Sequence, residues 1–334
     1  MLVLVTGSGG FLGRALVRRL LARGYEVRGL TRSDCPDLKK MGVDARRGDI
    51  ADPRAVFQAL KGCDLVFHTA AKAGVWGNRD EYQAINVKGT ENVISACRAH
   101  GVGRLVYTSS PSVVFSGGNM EGVDESVPYS KAFMAHYPRT KALAEKMVLQ
   151  ADSRDLAVAA LRPHLIWGPG DPHFVPRLCR RAKAGRLAGI RGGPRLVDSI
   201  YIDNAADAHI RVADRLKPGA PPAGRAYFIS QDQPMDIVAL MNGIIGAAGL
   251  PPIGKFVSPL TAQAAGWMLE SVYSLLGIKT EPPMTRFVAA QLSHSHWFDI
   301  SAAKHDFGYT PAVSIAAGFE RLAAWLAEGG GSLD

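Results

Sequence analysis

Nothing in this 334-residue chain looks built for disulfides, membrane spanning or nucleic acid. Its four cysteines, Cys35, Cys63, Cys97 and Cys179, form no Cys-x-x-Cys pair and show no metal-ligand spacing. That pattern points to reduced thiols in a cytoplasm and to no metal centre. No hydrophobic run reaches the length of a membrane span, and the most apolar late stretch, Ala262 to Ile278, is interrupted by Glu270. It reads as an amphipathic lid or dimer helix. The net charge of +9 is scattered with no basic block, which excludes a nucleic-acid stripe and fits a basic cleft for cofactor phosphates. Met1 to Val5 runs straight into a glycine turn and does not read as a signal peptide. Internal repeats and low-complexity linkers are also missing. What remains, 47% hydrophobic and 8% aromatic, is the composition of a globular enzyme.

The first half alternates short apolar runs with helical patterns, the signature of parallel βαβ units. The runs predict strands at Leu2–Thr6, Glu26–Leu30, Asp44–Arg47, Leu65–Thr69, Leu105–Ser109 and Val158–Leu161. Helical spacing covers Phe11–Ala22, Pro53–Leu60, Asn86–His100 and Pro138–Gln150. Asp52-Pro53 reads as an N-cap and first turn, and Gly24 and Gly101 as helix ends. The second half is less regular, with return strands predicted near Leu196–Ile202 and at Ala226–Ile229. The fold predicted is a doubly wound, Rossmann-type α/β sheet with a smaller C-terminal substrate-binding cap. Residues 1–163 plus 196–230 form the dinucleotide half, and 164–195 plus 231–334 form the cap.

Two motifs carry the chemistry. Thr6-Gly7-Ser8-Gly9-Gly10-Phe11-Leu12-Gly13 follows the first strand and opens the first helix. Glycine there permits the tight turn, close approach of a pyrophosphate and helix-on-strand packing, with helix N–H groups facing the phosphates. The second strand ends in Leu30-Thr31-Arg32-Ser33, with Thr31 where an acid would select NAD. Arg32 suits a ribose 2′-phosphate, so NADP(H) is the expected cofactor. Downstream, Tyr137 is the one tyrosine with a lysine four residues on, Lys141, one turn along the same helix face. A neighbouring ammonium lowers a phenol's pKa, so the pair can pass a proton to or from a substrate oxygen. Ser109 and Ser110 end the fifth strand and can hold that oxygen.

The chain resembles the extended short-chain dehydrogenase/reductases over nearly its full length. The motifs in common are the glycine segment, Gly48-Asp49-Ile50, His68-Thr69-Ala70-Ala71, Asn86-Val87-x-Gly89-Thr90, Tyr107-Thr108-Ser109-Ser110, Tyr137-x-x-x-Lys141, Leu161-Arg162-Pro163 and Tyr201-Ile202-Asp203-Asn204. The resemblance implies that Asp49 and Ile50 flank the adenine, that Ala70 and Ala71 line the cofactor, and that Pro163, His164 and Leu165 face the nicotinamide. It maps the catalytic serine best onto Ser110, with Ser109 and Ser112 as neighbouring alternatives.

Tyr137-Pro-Arg-Thr-Lys141 and Arg162-Pro-His-Leu-Ile-Trp167-Gly-Pro-Gly-Asp171 look like the 3β-hydroxysteroid dehydrogenase branch. Ala71-Lys-Ala-Gly-Val-Trp76-Gly77 and Glu281-Pro-Pro-Met-Thr-Arg286-Phe look like the bacterial reductases of long-chain olefin biosynthesis. The implied reaction is NADPH-dependent reduction of a long-chain 2-alkyl-3-oxoalkanoic acid to its 3-hydroxy acid. A decarboxylating sterol-4-carboxylate 3-dehydrogenase runs the same half-reaction in reverse, on a ring, and is the alternative. A non-catalytic NADP-binding sensor would normally lack the Tyr/Lys pair. The resemblance further implies a homodimer, an acidic lipid substrate and assembly with other olefin-pathway enzymes. Lys72, His164 and Arg195 are the candidates for holding the substrate carboxylate. Trp76, Phe115, Met134, Trp167 and Trp267 are candidates for an apolar channel, and His209 is expected to be structural.

Overall fold

A computed structural model of the protein describes residues 1–330; the last four positions of the predicted cap lie outside the described residues. Seven parallel strands form the central sheet: β1 (Leu2–Thr6), β2 (Glu26–Thr31), β3 (Asp44–Arg47), β4 (Leu65–His68), β5 (Arg104–Thr108), β6 (Ala157–Pro163) and β7 (Arg225–Ile229). Their spatial order is β7-β6-β5-β4-β1-β2-β3. The order reverses direction between β1 and β4, and such a switch point opens a crevice at the carboxyl ends of the strands.

Alternation along each strand serves both faces of the sheet. Val3, Val5, Phe67 and Val106 enter one core, whereas Leu4, Val66, Leu105 and Val158 enter the other. The first core is closed by α1 (Phe11–Ala22) and by a later helix, Ile202–Arg215, which packs against it. The second is closed by α2 (Pro53–Leu60), α3 (Gly89–His100) and α4 (His136–Gln150). Asp52 caps α2 by accepting from Arg54 N, and Gly101 ends α3 in the left-handed region.

The structure corrects two predicted elements. Asn86 does not open a regular α-helix, because Gln83–Lys88 forms one turn of π-helix before α3 begins. Its amide is committed sideways there, donating to Thr140 Oγ1 and to the Lys72 carbonyl while accepting from Lys72 N. The predicted strand Leu196–Ile202 is two separate pieces, Leu196–Val197 and Ile200–Tyr201, and helix begins at Ile202. Between the pieces, Asp198 turns inward to accept from Phe298 N, and Ser199 accepts from the Trp167 indole.

Above the carboxyl ends of the strands sits a small four-stranded sheet. Its order is Met235–Asp236, Leu196–Val197, His296–Phe298 and Met120–Val123. Two of these strands come from segments assigned by sequence to the dinucleotide half. Beyond them, Ser301–Phe307 returns to pack on β7, where Asp306 accepts from the Tyr227 hydroxyl.

Candidate active site

The glycine turn is set by contacts that only glycine allows. Gly7 has φ +69°, and a Cβ there would lie 2.9 Å from the backbone of Ala70. A Cβ on Gly13 would lie 2.1 Å from the Gly7 carbonyl oxygen. No side chain caps the N-terminus of α1, so its first N–H groups face the crevice free of internal partners. A cavity of about 320 Å³ lies alongside, and Gly7, Gly10, Thr31, Arg32, Asp49, Ile50, Ala70 and Ala71 all line it. Phe11 and Leu12, expected at the same place, pack into the core behind the turn. Gly13 acts by admitting the turn's backbone. At the ribose end, Thr31 Oγ1 donates to the Ser33 carbonyl at 2.5 Å, Arg32 is exposed, and Asp34 pairs with Lys39. Arg47, which sequence reasoning passed over, pairs with Thr31 in the sheet register and donates to the Arg32 carbonyl.

A second chamber of about 230 Å³ joins the end of β5, the start of α4 and the cap. Ser110, Ser112, Tyr137, Pro163, His164 and Leu165 line it. Ser110 and Ser112 hydroxyls lie 2.9 Å apart. Ser109 is buried with an unpartnered hydroxyl and is not part of the lining. Burial raises the Tyr137 phenol pKa, and a hydrogen bond with Ser110 opposes that shift. The lowering expected from Lys141 is not seen. The Lys141 ammonium donates to the Thr108 carbonyl and lies 4.1 Å from the centre of the Tyr107 ring. Burial pulls its own pKa down to about 7, with Glu145 acting in the opposite sense.

Two buried networks hold this arrangement. Glu145, one turn beyond Lys141, takes a bidentate contact from Arg162 of β6 and a hydrogen bond from Tyr129. His68, at the end of β4, links Thr6 Oγ1 at 2.8 Å to Thr90 Oγ1 at 3.0 Å. Burial, then repulsion from Lys141, lowers its pKa to about 3, so it stays neutral.

The carboxylate candidates separate cleanly. Arg195 spends its guanidinium on the carbonyls of Ser293, Ile190, Gly193 and Arg191 and lies outside the chamber. Lys72 pairs with Glu81 at 2.9 Å in an outer cleft. His164 lines the chamber, with Nδ1 donating to the Asp198 carbonyl, which leaves Nε2 as the acceptor. Burial first, then His296, lowers its pKa to about 3. His296 stacks edge-on at 4.8 Å, gives Nε2–H to the Gln291 carbonyl, and has no partner for Nδ1. Sequence reasoning quoted Phe287 only as the end of the Glu281–Arg286 motif and gave it no role, and it missed Gln291, His296 and Phe298, which lie more than 150 residues beyond Tyr137 with no motif of their own.

The channel aromatics also divide. Phe115 lines the chamber, and Trp76 and Met134 line the outer cleft. Trp167 is fully buried core packed on Tyr201 and Phe319, and Trp267 is exposed on the helix Pro259–Leu275. His209 is core, bonded to Ala205 O and Thr108 Oγ1. Among the described residues no side-chain group is arranged to hold a metal, and no helix is long and apolar enough to cross a membrane.

Known proteins share this design. The family model described as 3-beta hydroxysteroid dehydrogenase/isomerase matches residues 4–256. A 2-alkyl-3-oxoalkanoate reductase of Stenotrophomonas maltophilia is 51% identical over 326 residues, covering 97% of this chain and 99% of its own. Its namesake from Shewanella oneidensis is 50% identical over 330 residues, covering 96% and 85%. A decarboxylating sterol-4-alpha-carboxylate 3-dehydrogenase of Mus musculus is 32% identical over 327 residues, covering 95% and 88%. Among solved structures, gox2253 superposes with a TM-score of 0.78 at 26% identity, covering 98% of each chain. MoeE5, in complex with UDP-glucose and NAD, has a TM-score of 0.72 at 25% identity, covering 98% and 99%. The chain is thus an NAD(P)-dependent oxidoreductase, and it belongs to the 3-beta hydroxysteroid dehydrogenase/isomerase family of extended short-chain dehydrogenase/reductases.

Proposed function

We propose that this protein is an NADPH-dependent reductase of long-chain 2-alkyl-3-oxoalkanoic acids, forming the 2-alkyl-3-hydroxy acids in an olefin-producing pathway. The observation that carries the reading is the likeness, over almost the whole chain, to two reductases of that name. When bound, the cofactor would supply the hydride that reduces the C3 carbonyl. Gly7, Gly10 and the open first turn of α1 bind its pyrophosphate, with Asp49 and Ile50 at the adenine and Ala70 and Ala71 along its length. Arg32 and Arg47 supply two cations for a 2′-phosphate, and Thr31 stands where an acid would claim a 2′-hydroxyl. That combination supports NADP over NAD.

Tyr137 gives its phenolic proton to the oxygen as charge develops there, and the Ser110 hydroxyl donates to the same oxygen. Lys141 orients the cofactor ribose from behind Thr108. Pro163 and Leu165 set the face on which the nicotinamide lies. Of the three candidates for the substrate carboxylate, His164 is the one that lines the chamber. The apolar walls, Phe115, Phe287 and Phe298, exclude water from the reacting carbon. A homodimer, contact with other enzymes of the pathway and a cytoplasmic setting belong to the same reading.

The test is the reverse reaction on purified protein, since the β-keto acid is labile. A long-chain 2-alkyl-3-hydroxy acid and a 4-carboxysterol are offered with NADP⁺ and with NAD⁺. Turnover of the acyclic acid with NADP⁺ is expected; turnover of the sterol alone would transfer the protein to the decarboxylating dehydrogenases. Tyr137→Phe is expected to lose about 10²- to 10⁴-fold in rate with cofactor binding retained. An undiminished rate would remove Tyr137 from the chemistry.

A further inference from the structure

The reaction chamber is not a dead end. On one side Val75 belongs both to it and to the outer cleft of about 1000 Å³, where Trp76, Phe133, Met134 and Tyr273 lie. On the other side Leu165, Phe287, Gln291 and His296 are shared with a further chamber of about 280 Å³. Leu165 stands at this junction with φ +44°, a conformation a leucine adopts only when its surroundings impose it.

The walls of the further chamber come from the helices Phe174–Lys183, Ile237–Ala247 and Arg286–Ser293. Phe174, Leu178, Ile190, Met241, Met284 and Leu292 make it apolar. Its arginines do not offer charge to a ligand deep inside. Arg177 is ion-paired with Glu281, Arg181 donates to the Pro283 carbonyl, and Arg186 is exposed; their stems add to the apolar wall. The one unpartnered buried polar atom among the lining residues, His296 Nδ1, belongs to the shared junction.

A chamber flanked by an apolar inner pocket and by a wider outer cleft, where Trp76, Phe133 and Met134 lie among charged residues such as Lys72, Arg139 and Lys279, suits a substrate with two hydrocarbon arms joined at the reacting carbons. A single-armed or compact ring substrate would use one outlet and leave the other without partner atoms. We infer that the inner chamber bounded by Phe174, Met241 and Met284 binds one of the two alkyl arms of the substrate, while the other arm runs past Val75 into the outer cleft. This inference rests on the proposed reaction. It adds that the two arms are measured separately by different parts of the protein, with the inner arm limited in length and the outer arm free.

Ala188, part-buried in the lining, is the place to close the chamber, with Ala188→Phe as the variant. Val288→Ala, on the helix Arg286–Ser293 that also lines the chamber, enlarges it and serves as the second variant. Both are assayed as holoenzyme with 2-alkyl-3-hydroxy acids in which the two arms are shortened independently, and binding of the same acids is followed by calorimetry. Each methylene lost from a filled apolar site is worth about 0.8 kcal/mol, or about fourfold. Ala188→Phe is expected to lower kcat/KM at least about tenfold for acids long in one arm and to leave acids short in that arm unchanged. Val288→Ala is expected to extend the tolerated length of that same arm. Equal loss for all acids, or length limits on both arms that neither variant moves, would overturn the inference. Wild-type protein that binds the two-armed acids but does not turn them over would refute the reaction and leave the chamber assignment to the binding data.

Discussion

Arg162 and Glu145 join β6 to the active-site helix through a bidentate contact, 2.6 Å at its shortest, with 3% and 0% of their side chains exposed. Glu145 lies on the same helix as Tyr137 and Lys141, and Arg162 immediately precedes Pro163 at the chamber wall. The pair therefore fixes the distance between the Tyr137 helix and the wall facing it.

Breaking that pair from one side leaves a charge buried without a partner, which typically costs about 3–5 kcal/mol. Glu145→Ala is expected to lower unfolding stability by that order, read from the urea midpoint. The double variant Glu145→Met, Arg162→Met should recover most of the loss. Wild-type stability in Glu145→Ala would mean that the pair tethers nothing.

Asp198 gives a second, pH-dependent prediction. Burial raises its pKa from 3.8 to about 7, against hydrogen bonds from Phe298 N and Ser230 that lower it. The folded protein thus holds a proton at this site between pH 3.8 and about 7 that the unfolded chain has released. The site's contribution to stability is full below pH 3.8, declines across that window, and is lost above about pH 7. Asp198→Asn cannot ionise and can still accept from Phe298 N. Its stability relative to wild type should climb from pH 4 to pH 7 and then level off, by about 2–4 kcal/mol. A difference that does not vary with pH would assign Asp198 an ordinary carboxyl.

Arg32 is exposed at the rim of the glycine-lined cavity, so its loss should hardly affect folding. A hydrogen bond to a charged group is worth about 1.5–3 kcal/mol. Arg32→Ala is therefore expected to weaken NADP(H) about 10- to 100-fold and NAD(H) little, measured by titration of both. Equal weakening of the two would remove Arg32 from the 2′-phosphate.

Gly13→Ala drives a methyl group into the Gly7 carbonyl, and such overpacking costs about 1–3 kcal/mol. Gly118, where nothing lies within 4 Å of an added Cβ, is the control. Gly13→Ala should lose both stability and cofactor affinity, and Gly118→Ala neither. Full cofactor affinity in Gly13→Ala would show that the turn tolerates a different path.

The features that were legible in the sequence are local ones. A glycine turn after an apolar run, a capping aspartate before proline, and a tyrosine and lysine one turn apart each specify their geometry within a dozen residues. Leu196–Ile202 misled because it is mostly apolar, yet the Asp198-Ser199 pair in its middle is turned inward by partners at Phe298 and Trp167. Arg195 had the right charge for a carboxylate, but four carbonyls from the surrounding chain claim it. Trp167 had the right size for a channel, but Tyr201 and Phe319 bury it. His296 was invisible for the opposite reason: nothing near it in sequence indicates that the cap sheet will bring it to the chamber of Tyr137.

That cap sheet also governs when the enzyme can exist. Its strand His296–Phe298 is held between Leu196–Val197 and Met120–Val123, pairings that span roughly one hundred and one hundred and seventy-five residues. During synthesis the nucleotide cradle and the Tyr137 helix are available long before their roof emerges. A nascent chain halted short of residue 296 would carry Ser110, Tyr137 and Lys141 with an apolar chamber open to water. Such long loops are slow to close, and the apolar lining of the chamber stays uncovered until they do.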